Sequence, residues 1–239
     1  MDLLSPSSPF TVAFERTLPY GWCVGVWLGP ASGEGWDAAV SRLHADERHH
    51  LATLGARRQS SWLGGRLALR RALEGLGVLA PGPLLSTARG APRLPPGVVG
   101  SITHKDRLAV ALVARDEGWT MGVDLEEEGA RGYLHLARRI LTEREQEQVS
   151  ALEPAARERE LLLRFSGKEA VYKAIDPFEQ RYVGFHEVEL ETRPGGGFAV
   201  HLLLTSQGTP LTVEAGWSGG DELAPFLLTF ARAAPRRHG

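Results

Sequence analysis

Three carboxylates and two lysines in this chain have the types and spacing of a site for a divalent cation and a phosphate ester. Gly122-Val123-Asp124-Leu125-Glu126 places two acids two residues apart in an apolar run. In a strand, residues i and i+2 share a face, so Asp124 and Glu126 point to one side and Val123 and Leu125 to the other. Two negative charges held side by side repel unless a cation or basic groups sit between them. Mg²⁺ suits that position, because it takes hard oxygen ligands, keeps several waters and accepts phosphate oxygens from a substrate. The bland alternative is a strand end with solvated acids, and Glu127 and Glu128 fit that alternative better.

Phe165-Ser166-Gly167-Lys168-Glu169-Ala170-Val171-Tyr172-Lys173 adds a third acid between two lysines on a predicted helix. Glu169 and Lys173 are i, i+4, and as a surface pair they are worth only ~0.3–0.5 kcal/mol. The paired acids elsewhere in the chain favour a stronger reading. Glu169 completes a magnesium set or takes a proton from an incoming hydroxyl, and Lys168 and Lys173 neutralise phosphate oxygens as charge builds on a leaving group. Gly100-Ser101-Ile102-Thr103-His104-Lys105 ends a strand and opens a turn, with Thr103 and His104 as short polar groups beside Lys105. Arg58 and Arg66 are eight apart, close to one helix face, and a phosphate-rich ligand uses such arginines bidentately. His44, His49 and His50 do not have tight zinc spacing and read as surface.

The elements that must position these groups follow from the apolar pattern. Strands are expected over 22–28, 98–103, 108–114 and 119–126, with a turn at Asp116-Glu117-Gly118. Helices are expected over 36–54, 62–79, 134–149 and 157–175, the last stopped by Asp176-Pro177. Residues 81–96 form a loop rich in Pro, Gly and Arg. A hairpin of 183–192 and 198–205 turns at Arg193-Pro194-Gly195-Gly196-Gly197, and a last strand spans 227–231 before a basic tail. The order suggests an approximate duplication cut near Asp116, with lobes 1–116 and 117–239. Clustered strands favour an α+β fold of two similar lobes over a doubly wound sheet.

Bulk properties narrow the field. The chain has 239 residues, with Lys+Arg 27 against Asp+Glu 29 and a formal net charge of −2. That balance lacks the basic excess of a nucleic-acid binder. The single cysteine, Cys23, excludes an internal disulfide and a Cys-rich zinc site and reads as a core residue. Neither a signal sequence nor a membrane span is legible, so a cytoplasmic protein is expected. Walker A, Gly-x-Gly-x-x-Gly and His-Glu-x-x-His patterns are all missing.

Taken in order, Ser101-Ile102-Thr103-His104, Gly122-Val123-Asp124-Leu125-Glu126 and Phe165–Lys173 resemble the signatures of 4′-phosphopantetheinyl transferases. Trp62-Leu63-Gly64-Gly65-Arg66-Leu67-Ala68 and Arg89-Gly90-Ala91-Pro92 are similar to the larger, monomeric class, on its enterobactin-type branch. The resemblance covers about Arg58 to Lys173. It implies a pseudodimer of two similar α+β lobes with the active site at their interface. It also implies transfer of the phosphopantetheine arm of coenzyme A to a serine of an apo acyl or peptidyl carrier protein, with release of 3′,5′-bisphosphoadenosine. By position, Asp124, Glu126 and Glu169 would bind Mg²⁺ (or Mn²⁺). His104, with Thr103 beside it, would contact a coenzyme A phosphate, and Lys168 and Lys173 the pyrophosphate. Ser61 and Arg66 would meet the nucleotide end, with Arg58 as a further candidate. Glu169, or a metal-bound water, would accept the serine proton.

Two departures from the family pattern stand out. Ala91 replaces a common basic residue, which shifts the nucleotide contact to Arg89 or Arg93. Gly167 replaces a better helix former at a cost of ~1 kcal/mol. Acidic carriers imply a basic and apolar docking surface, for which Arg131, Arg138 and Arg139 around Leu134 and Leu136 are candidates. Two other readings remain open: a Mg²⁺ phosphoesterase such as a small nuclease, which would need no carrier, and a non-catalytic module that binds coenzyme A or a carrier. The sequence leaves open whether the carrier serves fatty-acid, polyketide, non-ribosomal peptide or siderophore assembly.

Overall fold

The structure is a computed structural model and describes residues 8–129, 133–205, 208–219 and 223–236. The chain divides into two compact units, Met1–Glu117 and Gly118–Gly239. Both are mixed α+β and each is built on one antiparallel sheet.

In the first unit, β1 (Thr11–Leu18) and β2 (Gly21–Trp27) lead into α1 (Glu34–Ser41), α2 (Ala45–Ala52) and α3 (Ala56–Gly75). Strands β3 (Val98–Lys105) and β4 (Leu108–Arg115) complete a sheet of order β1-β2-β4-β3. The long helix α3 packs on β2 and β4. Leu63, Leu67, Leu69 and Leu73 are buried in one core with Val24, Val26, Ala111 and Val113.

In the second unit, β5 (Thr120–Glu127) precedes a 3₁₀ turn at Leu134–Leu136, then α4 (Ala137–Ile140), α5 (Glu143–Ser150) and α6 (Pro154–Glu179). Four strands follow: β6 (Val188–Arg193), β7 (Gly197–Leu202), β8 (Leu211–Ser218) and β9 (Phe226–Pro235). Their order is β5-β9-β8-β7-β6, so the first strand pairs with the last. Helix α6 crosses β5 and β9, and Ala170, Val171, Ala174 and Ile175 are buried with Val188, Leu190, Leu227 and Ala231.

Several expected boundaries move, each for a local reason. The helix expected over 36–54 is two helices. His44 caps the second: its Nδ1 accepts from the Asp46 N–H at 3.2 Å, while the His44 N–H donates to Glu47 at 2.9 Å. This reciprocal box starts a new helix rather than continuing the old one. It also gives His44 a structural task, while His49 is exposed and the ring of His50 lies 5.1 Å from that of Trp62. The helix expected over 134–149 breaks in the same way at Thr142, which forms a capping box with Glu145.

Helix α6 runs past the expected stop and contains Pro177. Proline in the final turn removes a single N–H from the ladder, and the end is set instead by Gln180 in the left-handed region at φ 50°, its N–H donating to the Asp176 carbonyl. The strand expected from Val183 begins as a 3₁₀ turn at Phe185–Glu187, because the Gly184 N–H donates back to Glu187 at 2.9 Å. Strands β1 and β8 were absent from the expected elements, although Leu211, Val213, Ala215 and Trp217 alternate at the strand period.

Gly167 has a packing reason. A Cβ there would stand 2.7 Å from Leu190 Cδ1 and 3.1 Å from Phe198 Cζ. Glycine lets α6 lie close on β6 and β7. Gly167→Ala gains ~1 kcal/mol of helix propensity and loses about 1–3 kcal/mol to overpacking. The expected result is a lower chemical-denaturation midpoint, and an unchanged or raised midpoint would discount this packing reason.

Candidate active site

The register of β5 and the face of α6 bring the acids together. Gly122, Asp124 and Glu126 occupy one face of β5. Gly122 is where that face meets the helix backbone: a Cβ there would lie 1.9 Å from the Ala170 carbonyl oxygen. On α6, Ser166, Glu169, Ala170 and Lys173 fall at i, i+3, i+4 and i+7 and share one face. Strand and helix therefore meet acid face to acid face within the second unit.

Asp124 and Glu126 are each 7% exposed and both carry partners. Asp124 Oδ1 accepts from Lys173 Nζ at 2.8 Å, and the same ammonium donates to the Val123 carbonyl at 2.8 Å. Asp124 Oδ2 accepts from Ser166 Oγ at 2.8 Å, and Glu126 Oε2 accepts from the Tyr133 hydroxyl at 2.6 Å. The half-buried Glu169 carboxyl is pushed above the usual carboxylate range, first by burial and then by the negative charges of Asp124 and Glu126, with Lys173 opposing. The field of each acid is thus felt by the third.

Three carboxylates on facing sides of β5 and α6 suit a hard divalent cation. Among the described residues no three His, Cys, Asp or Glu side chains are arranged as a closed ligand cluster. Asp124 is engaged by Lys173 and Ser166, and Glu126 by Tyr133, so the basic and hydroxyl groups now balance the acids. The donor types fit magnesium; its arrival would require Lys173 to leave Asp124 Oδ1 and Tyr133 to leave Glu126, while Ser166 can stay on Asp124 Oδ2.

Lys168 departs from expectation. Its side chain is 0% exposed, and Nζ donates to the Ile140 carbonyl (2.8 Å), Glu145 Oε2 (2.6 Å) and the Phe185 carbonyl (2.8 Å). A lysine ammonium has three N–H groups, and all are taken. Lys168 is therefore corrected from a pyrophosphate and catalytic ligand to an internal tie. It joins α6 to α4, to α5 and to the turn before β6. Burial lowers its pKa, and Glu145 opposes that shift. Glu145 also accepts from the Leu190 N–H at 2.8 Å.

Removing one member of such a buried pair leaves an unpaired charge and costs about 3–5 kcal/mol. Lys168→Met should lower the unfolding midpoint sharply, and Lys168→Met/Glu145→Gln should recover part of the loss. If Lys168→Met melts like the unsubstituted protein but no longer binds coenzyme A, the correction is wrong.

The first unit holds the remaining candidates. Arg66 is 5% exposed; its guanidinium lies 4.5 Å over the Trp62 ring and Nη2 donates to Ser86 Oγ at 2.9 Å. Its Nε is buried without a partner. Burial lowers the guanidinium pKa to about 10, with Glu47 opposing the shift and Arg70 adding to it. Arg58 is exposed, and Ser61 Oγ donates to the Arg58 carbonyl at 3.2 Å. Arg89 and Arg93 are both exposed, Arg89 within the loop that the Ser86–Pro92 bridge closes and Arg93 just after it.

Thr103 and His104 are not side by side toward one ligand. Strand β3 runs unbroken to Lys105, with Thr103 opposite Val110 and His104 opposite Ala109. Adjacent strand residues project to opposite faces. His104 shares the face of Ile102, which packs in the core with α3, whereas Thr103 is buried on the other. His104 remains a phosphate candidate beside α3, with Thr103 as a candidate on the opposite face.

Of the docking candidates, Leu134 is 49% exposed and Arg138 and Arg139 are exposed, while Arg131 lies outside the described residues. Sequence reasoning missed Ser166, Thr229 and Tyr133. Ser166 was legible from its spacing to Glu169 and Lys173; Thr229 becomes visible only through the β5–β9 register. No helix among the described residues is long and apolar enough to cross a membrane.

The profile for the 4′-phosphopantetheinyl transferase N-terminal domain matches residues 46–114, and that for the 4′-phosphopantetheinyl transferase superfamily matches residues 120–226. The chain is 37% identical over 208 residues to 4′-phosphopantetheinyl transferase Svp of Streptomyces mobaraensis, covering 83% of this chain and 82% of that protein. It is 32% identical to 4′-phosphopantetheinyl transferase PptT of Mycobacterium tuberculosis, covering 76% and 87%. Identity to enterobactin synthase component D of Salmonella typhimurium is 31%, covering 78% and 79%. A solved holo-(acyl-carrier-protein) synthase from Bacillus anthracis aligns over 48% of this chain and 96% of its own, at 22% identity and a TM-score of 0.38.

Proposed function

Because the chain belongs to the 4′-phosphopantetheinyl transferase superfamily, we propose that it moves the 4′-phosphopantetheine arm of coenzyme A onto a serine of an apo acyl or peptidyl carrier protein, releases 3′,5′-bisphosphoadenosine, and uses Mg²⁺ (or Mn²⁺) held by Asp124, Glu126 and Glu169. The observation that supports this most is the placement of the three acids on facing sides of β5 and α6, with the Glu169 carboxyl raised first by burial and then by Asp124 and Glu126.

In the proposed reaction the serine oxygen forms a bond to the pantetheine-side phosphorus of the diphosphate. The bond from that phosphorus to the bridging oxygen breaks, and the electron pair leaves with bisphosphoadenosine. When bound, the divalent ion supplies charge neutralisation at the diphosphate. Glu169 would take the serine proton as general base. Lys173 has used two N–H groups and is 33% exposed, which leaves a third N–H to donate to a phosphate oxygen. His104 and Arg66 serve the phosphates and nucleotide end, with Arg58, Ser61, Arg89 and Arg93 as outer contacts. The exposed Leu134, Arg138 and Arg139 offer the carrier an apolar and basic surface.

Intact-mass measurement on a panel of apo carriers, incubated with coenzyme A and with or without a chelator, tests the reading. The expected result is a gain equal to the phosphopantetheine arm in at least one carrier, abolished by chelation. No gain across fatty-acid, polyketide and peptide carriers would overturn it.

A further inference from the structure

We infer that Ser166 and Thr229 are positioning residues that fix the Asp124 carboxylate and decide which of its oxygens meets a divalent cation. The inference rests on the magnesium reading proposed above. Thr229 on β9 is the register partner of Asp124 on β5, and Ser166 reaches both from α6. Ser166 Oγ lies 2.8 Å from Asp124 Oδ2 and 2.8 Å from Thr229 Oγ1, and both hydroxyl residues are 0% exposed.

The direction of the chain follows from proton counting. An ionised carboxylate only accepts, so the single Ser166 proton goes to Asp124 Oδ2. The Thr229 hydroxyl must then donate to Ser166. Oδ2 is thereby tied to the sheet, and Oδ1 is the oxygen turned toward Lys173 Nζ. The ammonium sits on the oxygen a cation would take. Outer partners that orient a metal ligand typically change metal affinity by about 10–100-fold when removed. Neither hydroxyl is placed to touch substrate, so each acts through Asp124.

Mn²⁺ titration of the full chain, followed by the electron paramagnetic resonance signal of the free ion with and without coenzyme A, tests this apart from turnover. Saturable binding is expected for the unsubstituted protein. Ser166→Ala and Thr229→Val should each weaken it about 10-fold or more, while Thr229→Ser, which keeps the hydroxyl, should bind within about 2-fold of the original. Thermal unfolding of the same samples separates this from general damage, because a purely structural role moves the midpoint and leaves Mn²⁺ affinity alone. Should Thr229→Val not fold, Ser166→Ala carries the test. Unchanged affinity in Ser166→Ala, or equal weakening in Thr229→Ser and Thr229→Val, overturns the inference and leaves the magnesium reading standing. Absence of Mn²⁺ binding by the unsubstituted protein in both arms overturns the magnesium reading itself, and the inference with it.

Discussion

Glu169→Gln is expected to lower carrier modification by about 100-fold or more without lowering the unfolding midpoint. The side chains are nearly isosteric, so the packing of α6 is preserved. The lost charge is one whose ionised form is disfavoured in the folded chain, by burial and by Asp124 and Glu126. A carboxyl whose pKa is raised on folding opposes stability once pH exceeds its unfolded value. Replacing it by a neutral amide therefore leaves stability at neutral pH unchanged or raised. Progress curves by mass spectrometry and thermal unfolding in metal-free buffer supply the two readouts. Turnover within a few fold of the original would remove Glu169 from the centre of the account.

Gly122→Ala should be as damaging to function, through geometry rather than charge. The added methyl would meet the Ala170 carbonyl oxygen at 1.9 Å, and the Ala174 backbone nitrogen lies 2.9 Å away. These are backbone atoms of a helix, so no rotamer change relieves the contact. Strand β5 and helix α6 must separate by ~1 Å, in an interior with little slack. Overpacking of this kind costs about 3 kcal/mol or more. Separation also carries Asp124 away from Glu169, and a displacement of that order costs about 100-fold in rate. The unfolding midpoint and Mn²⁺ affinity should fall together. A variant that melts and turns over normally would show that this close approach does not set the site.

Much of the site was legible because strand and helix periods are simple. Asp124 and Glu126 share a strand face by alternation, and Glu169 and Lys173 share a helix face at i, i+4. The same geometry corrects the lysine assignment. Lys168 lies one residue from Glu169, about 100° around the helix, on the side of α6 that meets Glu145. Adjacency along the chain is not adjacency in space, and Thr103 and His104 likewise take opposite faces of their strand. Thr229 was not legible: its link to Asp124 depends on pairing between the first and last strands of the sheet, more than 100 residues apart. The helix breaks at His44 and Thr142 were legible as capping boxes, but the apolar pattern ran through them and took precedence.

The most direct test is a crystal structure of the protein with coenzyme A and Mn²⁺, read by the anomalous signal of the metal. The expected result is one peak bound by carboxylate oxygens of Asp124, Glu126 and Glu169 and by the diphosphate, with Lys173 Nζ and the Tyr133 hydroxyl displaced from the oxygens they now hold. A peak bound elsewhere, or Glu169 turned away from the other two acids, would contradict it.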